Sequence, residues 1–333
     1  MLFQKIQSIY KEILEEKNIK SGYYERRLLI DSKDLNLIVY LGLRIPRNLF
    51  YFSFVTPKEL ISEFHTDKTS GLSVTFKDDA TDKVRVIISL EDERFSDLFI
   101  ILANDLIELI LNNKDKKKIL IKLSNRLNKW KEFLKESKSP NLTKEALIGL
   151  VGELIILNQL LKFDSSIETL LAWKGPFGNK NDFVKKNKSM EVKTSIEKVK
   201  NIVRISSEFQ LDTNEIEFLK LAVVKLDSDV PDGKGFNLPE LVSDTLKGKD
   251  AEWQGNFKMI MKVAGYSFDN EELYTTKRFL VNQINIYDVI EDFPKICGSE
   301  LSINLSEVKY DLNLNGLEKF LLNKDISLKD FLT

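Results

Sequence analysis

Residues 190–195 read MEVKTS, with a carboxylate, Glu191, two positions before an ammonium, Lys193. The β-branched Val192 and Thr194, alternating with polar residues, predict a strand. Side chains two apart on a strand share a face, so Glu191 and Lys193 point one way and Met190 and Val192 the other. A preceding strand begins DFV after the loop WKGPFGNKN at 173–181, which puts Asp182 at its start; KKNKS at 185–189 is the turn between the two. Across that hairpin Asp182 and Glu191 can face each other. A third acid, Glu153, is the only charged or polar side chain from Ala146 to Leu157 in a predicted helix at 143–161. A helix apolar nearly all round is buried, and a lone carboxylate in it is costly unless paired. Taken singly, Glu153 could sit at a helix rim and Asp182 on a solvent-facing loop. Together, clustered carboxylates repel one another unless a divalent cation neutralises them. A lysine beside that cation can hold or deprotonate an attacking water and stabilise charge on a phosphate. This is the equipment of metal-assisted phosphodiester hydrolysis.

The elements that must position these residues run helix, loop, strand, strand, strand, helix, strand between residues 142 and 227. Gly149 and Gly152 lie on or beside the Glu153 face of the first helix, where small residues would let a neighbouring strand approach. The strand NIVRI is followed by SSEFQL at 206–211, in which Ser207 and Gln210 fit a capping box that opens a helix; a place at the edge of the site is the other reading of Gln210. Upstream, an amphipathic N-terminal helix precedes strands at 35–45 and 49–55. GLSVTF and VRVIISL flank KDDATDK as a hairpin, and a largely buried helix follows from residue 95. Residues 114–138 form a basic helix with ten Lys or Arg against three acids; its apolar stripe suits a connecting helix, its charge a phosphate contact. Beyond the turn-rich DSDVPDGKG, the clearest element is an alternating strand at 301–314. The expected division is an α+β module at 1–113, the basic helix at 114–141, the site-bearing core at 142–227 and a C-terminal α+β module at 228–333.

Composition narrows the chemistry. The chain of 333 residues carries 50 basic and 51 acidic side chains, one cysteine and one histidine. Lone Cys297 excludes an intrachain disulfide, and with lone His65 it excludes zinc sites built from several His or Cys ligands. His65 in a polar loop also makes a Ser-His-Asp hydrolase a poor fit. A metal must then be held by oxygen, which suits magnesium, manganese or calcium. No apolar run of membrane-spanning length occurs and the N-terminal helix lacks a signal-peptide cleavage site, so a cytoplasmic protein with no membrane association is expected.

Glu153 in a helix, Asp182 at a strand start and Glu191-Val192-Lys193 on the next strand resemble the PD-(D/E)XK nuclease superfamily, which includes many restriction endonucleases. More narrowly, GELIIL, WKGPFGNKNDF, MEVKTS and VRISSEFQL together resemble a family of prokaryotic PD-(D/E)XK proteins found in restriction-modification and defence clusters. Over residues 142–226 this resemblance is strong; in the flanks it rests mainly on length and on YDVIEDFPKIC. One departure stands out: Asn181, where the motif name has proline, precedes Asp182. The resemblance implies an α/β restriction-endonuclease-like core, a mixed sheet flanked by helices, with the N- and C-terminal modules added. It implies magnesium, with manganese able to substitute, held by Asp182, Glu191 and the carbonyl of Val192. Lys193 would assist the attacking water and Glu153 would help to bind a metal or its water.

The implied activity is magnesium-dependent endodeoxyribonuclease, a restriction subunit of a defence system. A non-catalytic DNA-binding or assembly subunit keeping the fold is the alternative, and a phosphodiesterase acting on RNA is a third. Segment 174–204 carries nine Lys or Arg against three acids. Lys174, Lys180, Lys185, Lys186 and Lys188 would surround the site and draw DNA to it, unless they simply fill solvated turns. Other restriction-modification subunits are plausible partners, and a double-strand cut, needing two active sites, suggests a homodimer or a partner nuclease.

Overall fold

In the computed structural model the chain folds as two compact units, residues Met1–Ser139 and Pro140–Thr333. The residues described are 2–16, 21–28, 39–64, 71–111, 116–136, 142–196, 201–214, 216, 218–228, 230–231, 233–302, 304–305 and 307–333. His65, the start of the strand expected at 35–45 and the break at 137–141 lie outside them.

The first unit opens with α1 (Leu2–Glu16), whose buried Phe3, Ile6, Tyr10 and Ile13 recur at helical spacing. Five antiparallel strands follow: β1 (Gly22–Leu28), β2 (Val39–Ile45), β3 (Leu49–Pro57), β4 (Leu72–Ala80) and β5 (Lys83–Leu90), in spatial order β1-β2-β3-β5-β4. Period-2 alternation puts Phe50, Phe52 and Phe54 on one face of β3. There Tyr10 meets Phe50 with ring centres 4.4 Å apart, and Phe99, from α2 (Ser96–Leu111), meets Phe52. The expected β4–β5 hairpin is present with a shorter turn, because most of KDDATDK continues the two strands. The basic helix is α3 (Lys116–Glu136). Its Ile119, Leu120, Leu123, Leu127 and Trp130 are buried, and so are two of its cations, Arg126 and Lys131. Trp130 Nε1 donates to Asp105 of α2 at 3.0 Å.

The second unit holds α4 (Lys144–Leu161), α5 (Ile167–Leu171), β6 (Phe183–Lys185), β7 (Lys188–Ser195), β8 (Ile202–Ile205), β9 (Phe218–Asp227), α6 (Leu238–Leu246), α7 (Ala251–Val263), β10 (Leu280–Asp288), β11 (Tyr310–Asn313), β12 (Leu321–Leu322) and α8 (Lys324–Leu332). Its main sheet runs β12-β10-β9-β7-β6. The β7–β9 pair is parallel and the others antiparallel, so this is a mixed sheet with helices, consistent with a PD-(D/E)XK-like fold. β10 and β12, from the segment expected as a separate C-terminal module, extend this same sheet. β8 pairs with β11, and Val203, Ile205, Leu211, Leu221, Val223 and Leu312 form one buried cluster on the face that carries Glu191 and Lys193. α4 covers the other face, with Gly152 against Thr194 of β7.

Two expectations need correction. Residues 206–211 form a turn and not a helix: the Ser207 hydroxyl accepts from the Phe209 N–H at 3.2 Å and Gln210 Oε1 from the Ser206 N–H at 2.8 Å, so both side chains close a local turn, and the Gln210 carbonyl accepts from Asn181 Nδ2 at 2.7 Å. Among the described residues the strand expected at 301–314 is confined to β11, where β8 supplies a partner; Leu305 before it is exposed. Among the described residues no helix is long and apolar enough to cross a membrane.

The β6–β7 turn is fastened to the end of α8. Lys185 Nζ donates to the Leu332 carbonyl at 2.6 Å, Lys186 Nζ to that of Thr333 at 3.2 Å, and Lys188 Nζ to that of Asp330. Ammonium groups at a helix C-terminus satisfy its last carbonyls and oppose its dipole. Each such contact contributes about 0.3–1 kcal/mol at low salt. Replacing all three with Ala should therefore lower the urea unfolding free energy of the protein by about 1–3 kcal/mol, and less at high salt. An unchanged midpoint would show that these contacts contribute nothing.

Candidate active site

Glu153, Asp182, Glu191, Lys193 and Gln210 come together where β6 ends and β7 continues. The β6–β7 register pairs Phe183 with Met190 and so brings Asp182 opposite Glu191. Asp182 Oδ2 accepts from the Val192 N–H at 2.7 Å. Its own carbonyl accepts from the N–H groups of Lys174 and Gly175 at 2.6 and 2.9 Å, which pins the strand start to the loop before it. A strand residue's N–H and C=O point to the same side, so the Val192 carbonyl also faces the Asp182 side, beyond the last β6 pair.

Glu191 is only 1% exposed. Its Oε1 meets Lys193 Nζ at 2.8 Å and its Oε2 accepts from Asn181 Nδ2 at 3.2 Å. Lys193 Nζ also donates to Gln210 Oε1 at 3.1 Å, and the same oxygen accepts from the Ser206 N–H at 2.8 Å. Gln210 is thus at the edge of the cluster, its side chain folded back on the turn. Glu153 arrives from α4, which begins at the Thr143 cap, whose Oγ1 accepts from Ala146 N at 3.2 Å. The Glu153 carboxylate accepts from Trp173 Nε1 at 2.6 Å.

Two glycines make the approach possible. A Cβ on Gly152 would lie 1.8 Å from Thr194 Oγ1, so only glycine lets α4 come this close to β7. A Cβ on Gly175 would lie 2.3 Å from Glu153 Oε2 and 3.0 Å from Asp182 Oδ1, so the loop leaves that space to the two carboxylates. Gly149, the other small residue on the Glu153 face, would meet nothing. Trp173, Gly175 and Asn181 all belong to the loop WKGPFGNKNDF, but sequence reasoning assigned them no role. A tryptophan N–H in an otherwise apolar setting, with a buried helix acid seeking a donor, was the available signal for the first.

Burial and the neighbouring Asp182 hold the Glu153 carboxyl well above the usual carboxylate range, against the pull of the Trp173 N–H. Burial pushes Asp182 up to about 6, opposed by the Val192 N–H and by Lys193. Burial and then Asp182 push Glu191 up to about 8, against Lys193 and Asn181. Desolvation outweighs the partners at each acid, as expected where several carboxylates are taken out of water around one ammonium.

The donor set is oxygen only: the Asp182 and Glu191 carboxylates, the Val192 carbonyl and, beside them, Glu153. Among the described residues no three His, Cys, Asp or Glu side chains form a ready-made metal cage. Magnesium does not need one, since it is commonly held by one or two carboxylates together with water and substrate phosphates. The space left by Gly175 and the oxygen-only chemistry fit such an ion.

Residues 6–315 match the DUF4420 family, described as "Putative PD-(D/E)XK family member". The chain belongs to this family. Membership carries a nuclease-like function, in agreement with the resemblance read from the motifs. No curated protein and no solved structure matches the chain.

The five lysines are placed differently from one another. Lys174 is buried in the loop, Lys180 Nζ donates to the Asp212 carbonyl at 2.9 Å, and Lys185, Lys186 and Lys188 bind the end of α8.

Two predictions follow from the buried acids. A carboxylate whose folded pKa is raised binds its proton more tightly in the folded state, so its contribution is full below the unfolded pKa and is lost as pH rises through the folded value. With Asp182 at about 6 and Glu191 at about 8, against ordinary values of 3.8 and 4.5, metal-free protein should lose stability between about pH 4 and 8. Urea titrations across that range should show the loss, and Glu191→Gln should flatten it; a pH-independent midpoint in the wild type would contradict the shifts. Gly175→Ala should keep the fold, since the displaced atoms are the ends of side chains, yet move the Glu153 carboxylate. Isothermal titration should then show weaker magnesium binding with an unchanged circular-dichroism spectrum, whereas equal affinity would show that the space has no such use.

Proposed function

We propose that the protein is a magnesium-dependent endodeoxyribonuclease, a restriction subunit of a prokaryotic defence system, with manganese able to substitute for magnesium. The observation that carries this reading is the convergence of Glu153, Asp182, Glu191 and Lys193 from a helix, a strand start and a strand on one desolvated cluster. The restriction and defence context rests on the motif resemblance within the family.

Asp182, Glu191 and the Val192 carbonyl would hold the ion, with Glu153 beside them. What magnesium supplies when bound is charge neutralisation and Lewis acidity at a phosphate. The chain's own groups do the rest. Lys193 Nζ is held by Glu191 Oε1 and Gln210 Oε1, which uses two of its three N–H donors. The third can hold the attacking water or a non-bridging phosphate oxygen, and the side chain is 14% exposed, so it is within reach of solvent. Val192 N–H and Asn181 Nδ2 fix the carboxylates so that their remaining lone pairs stay oriented. Two active sites are needed for a double-strand cut, so a homodimer or a partner nuclease completes the reading.

Incubation of purified protein with plasmid and phage DNA tests the proposal. Nicking or linearisation is expected with magnesium or manganese and none with EDTA. Lys193→Ala should slow it about 10²- to 10⁴-fold without loss of fold, and Asp182→Ala and Glu191→Ala should abolish it. DNA binding without cleavage under any of these conditions would favour the non-catalytic DNA-binding or assembly subunit, and cleavage of RNA alone the third reading.

A further inference from the structure

The residue before Asp182 is where this chain departs from the motif, and the structure gives that departure a physical content. Asn181 is 1% exposed, and its Nδ2 donates to two acceptors, Glu191 Oε2 at 3.2 Å and the Gln210 carbonyl at 2.7 Å. The Gln210 carbonyl can only accept, which fixes the amide with its nitrogen toward it. The backbone on either side is pinned as well, because the Asp182 carbonyl accepts from two N–H groups of the loop. A proline here could make neither side-chain bond.

We propose that Asn181 is a positioning residue for the divalent cation: it holds Glu191 by Oε2 and ties down the turn whose Gln210 holds Lys193. The inference rests on the metal-dependent reading of this site. One amide thereby connects the three groups whose relative placement matters. It holds one oxygen of Glu191, it anchors the Gln210 backbone, and the Gln210 side chain in turn meets Lys193 Nζ. A partner that orients a ligand typically costs 10- to 100-fold in metal affinity or activity when it is removed.

The decisive measurement is titration of the metal-free protein with magnesium chloride alone, without DNA. Asn181→Ala should bind magnesium about 10- to 100-fold more weakly than wild type. Asn181→Ser is the second variant if alanine does not fold; with one hydroxyl it can serve only one of the two acceptors, so a smaller loss in the same direction is expected. Asn158→Ala is the structural control: its Nδ2 bonds Thr245 Oγ1 at 2.9 Å, between α4 and α6. That variant should lose thermal stability comparably yet keep wild-type magnesium affinity. Equal affinity in wild type and the Asn181 variants, or an equal loss in Asn158→Ala, would overturn the positioning role while leaving the nuclease reading standing. A wild type that binds no magnesium would overturn both.

Discussion

Taking carboxylates out of water beside one another is the constraint on which the second unit depends. Asp182 and Glu191 are desolvated enough to titrate well above ordinary acids, and Glu153 is shifted the same way. Such groups are tolerated only where donors meet them. The donors come from the 173–182 loop and from β7: the Trp173 indole to Glu153, the Val192 backbone to Asp182, Lys193 and Asn181 to Glu191. The cluster therefore exists only once α4, the 173–182 loop, β7 and the 206–211 turn are assembled. On the face that carries Glu191 and Lys193, Val203, Ile205, Leu221, Val223 and Leu312 form a buried apolar cluster, whose burial is favourable.

The sheet supplies the opening. β7 is held along its length by parallel β9, from Lys188 to Ser195. β6 covers only three of its residues on the other side, ending at the Phe183–Met190 pair. Beyond that pair the edge of β7 is taken by a side chain, Asp182, in place of a strand backbone. A longer β6 would satisfy the Val192 amide with a ladder bond and leave no place for the acid. The short strand thus exchanges backbone pairing for a carboxylate that can act on something else.

Positive charge is distributed by the fold in a way that counting cannot follow. The turn lysines next to the two acidic strands belong in space to the C-terminus of α8, where they meet the helix's last carbonyls. In α3 a helix with a large basic excess buries Arg126 and Lys131. Lys193 lies between the carboxylate of Glu191, two positions back on its own strand, and the amide oxygen of Gln210, 17 residues on.

The acids and the lysine of the site were legible in the sequence because their signals are local. Period 2 puts Glu191 and Lys193 on one face, a hairpin brings Asp182 opposite, and an isolated Glu153 in an apolar helix demands a partner. Strands rich in aromatic and β-branched residues and helices with an apolar stripe were legible for the same reason, as β3 and α3 show. What tertiary structure alone decided involves partners distant in the chain. The Gln210 carbonyl is met by Asn181, 29 residues earlier, and its side chain by Lys193, 17 residues earlier. β10 joins the site-bearing sheet at the edge of β9, and β12 at the edge of β10, which no pattern within residues 280–322 records. Gly175 and Trp173 take their meaning from a helix acid two elements away. Periodicity encodes which face a side chain takes, but long-range hydrogen bonds and close approaches depend on which surfaces the collapsed chain brings together.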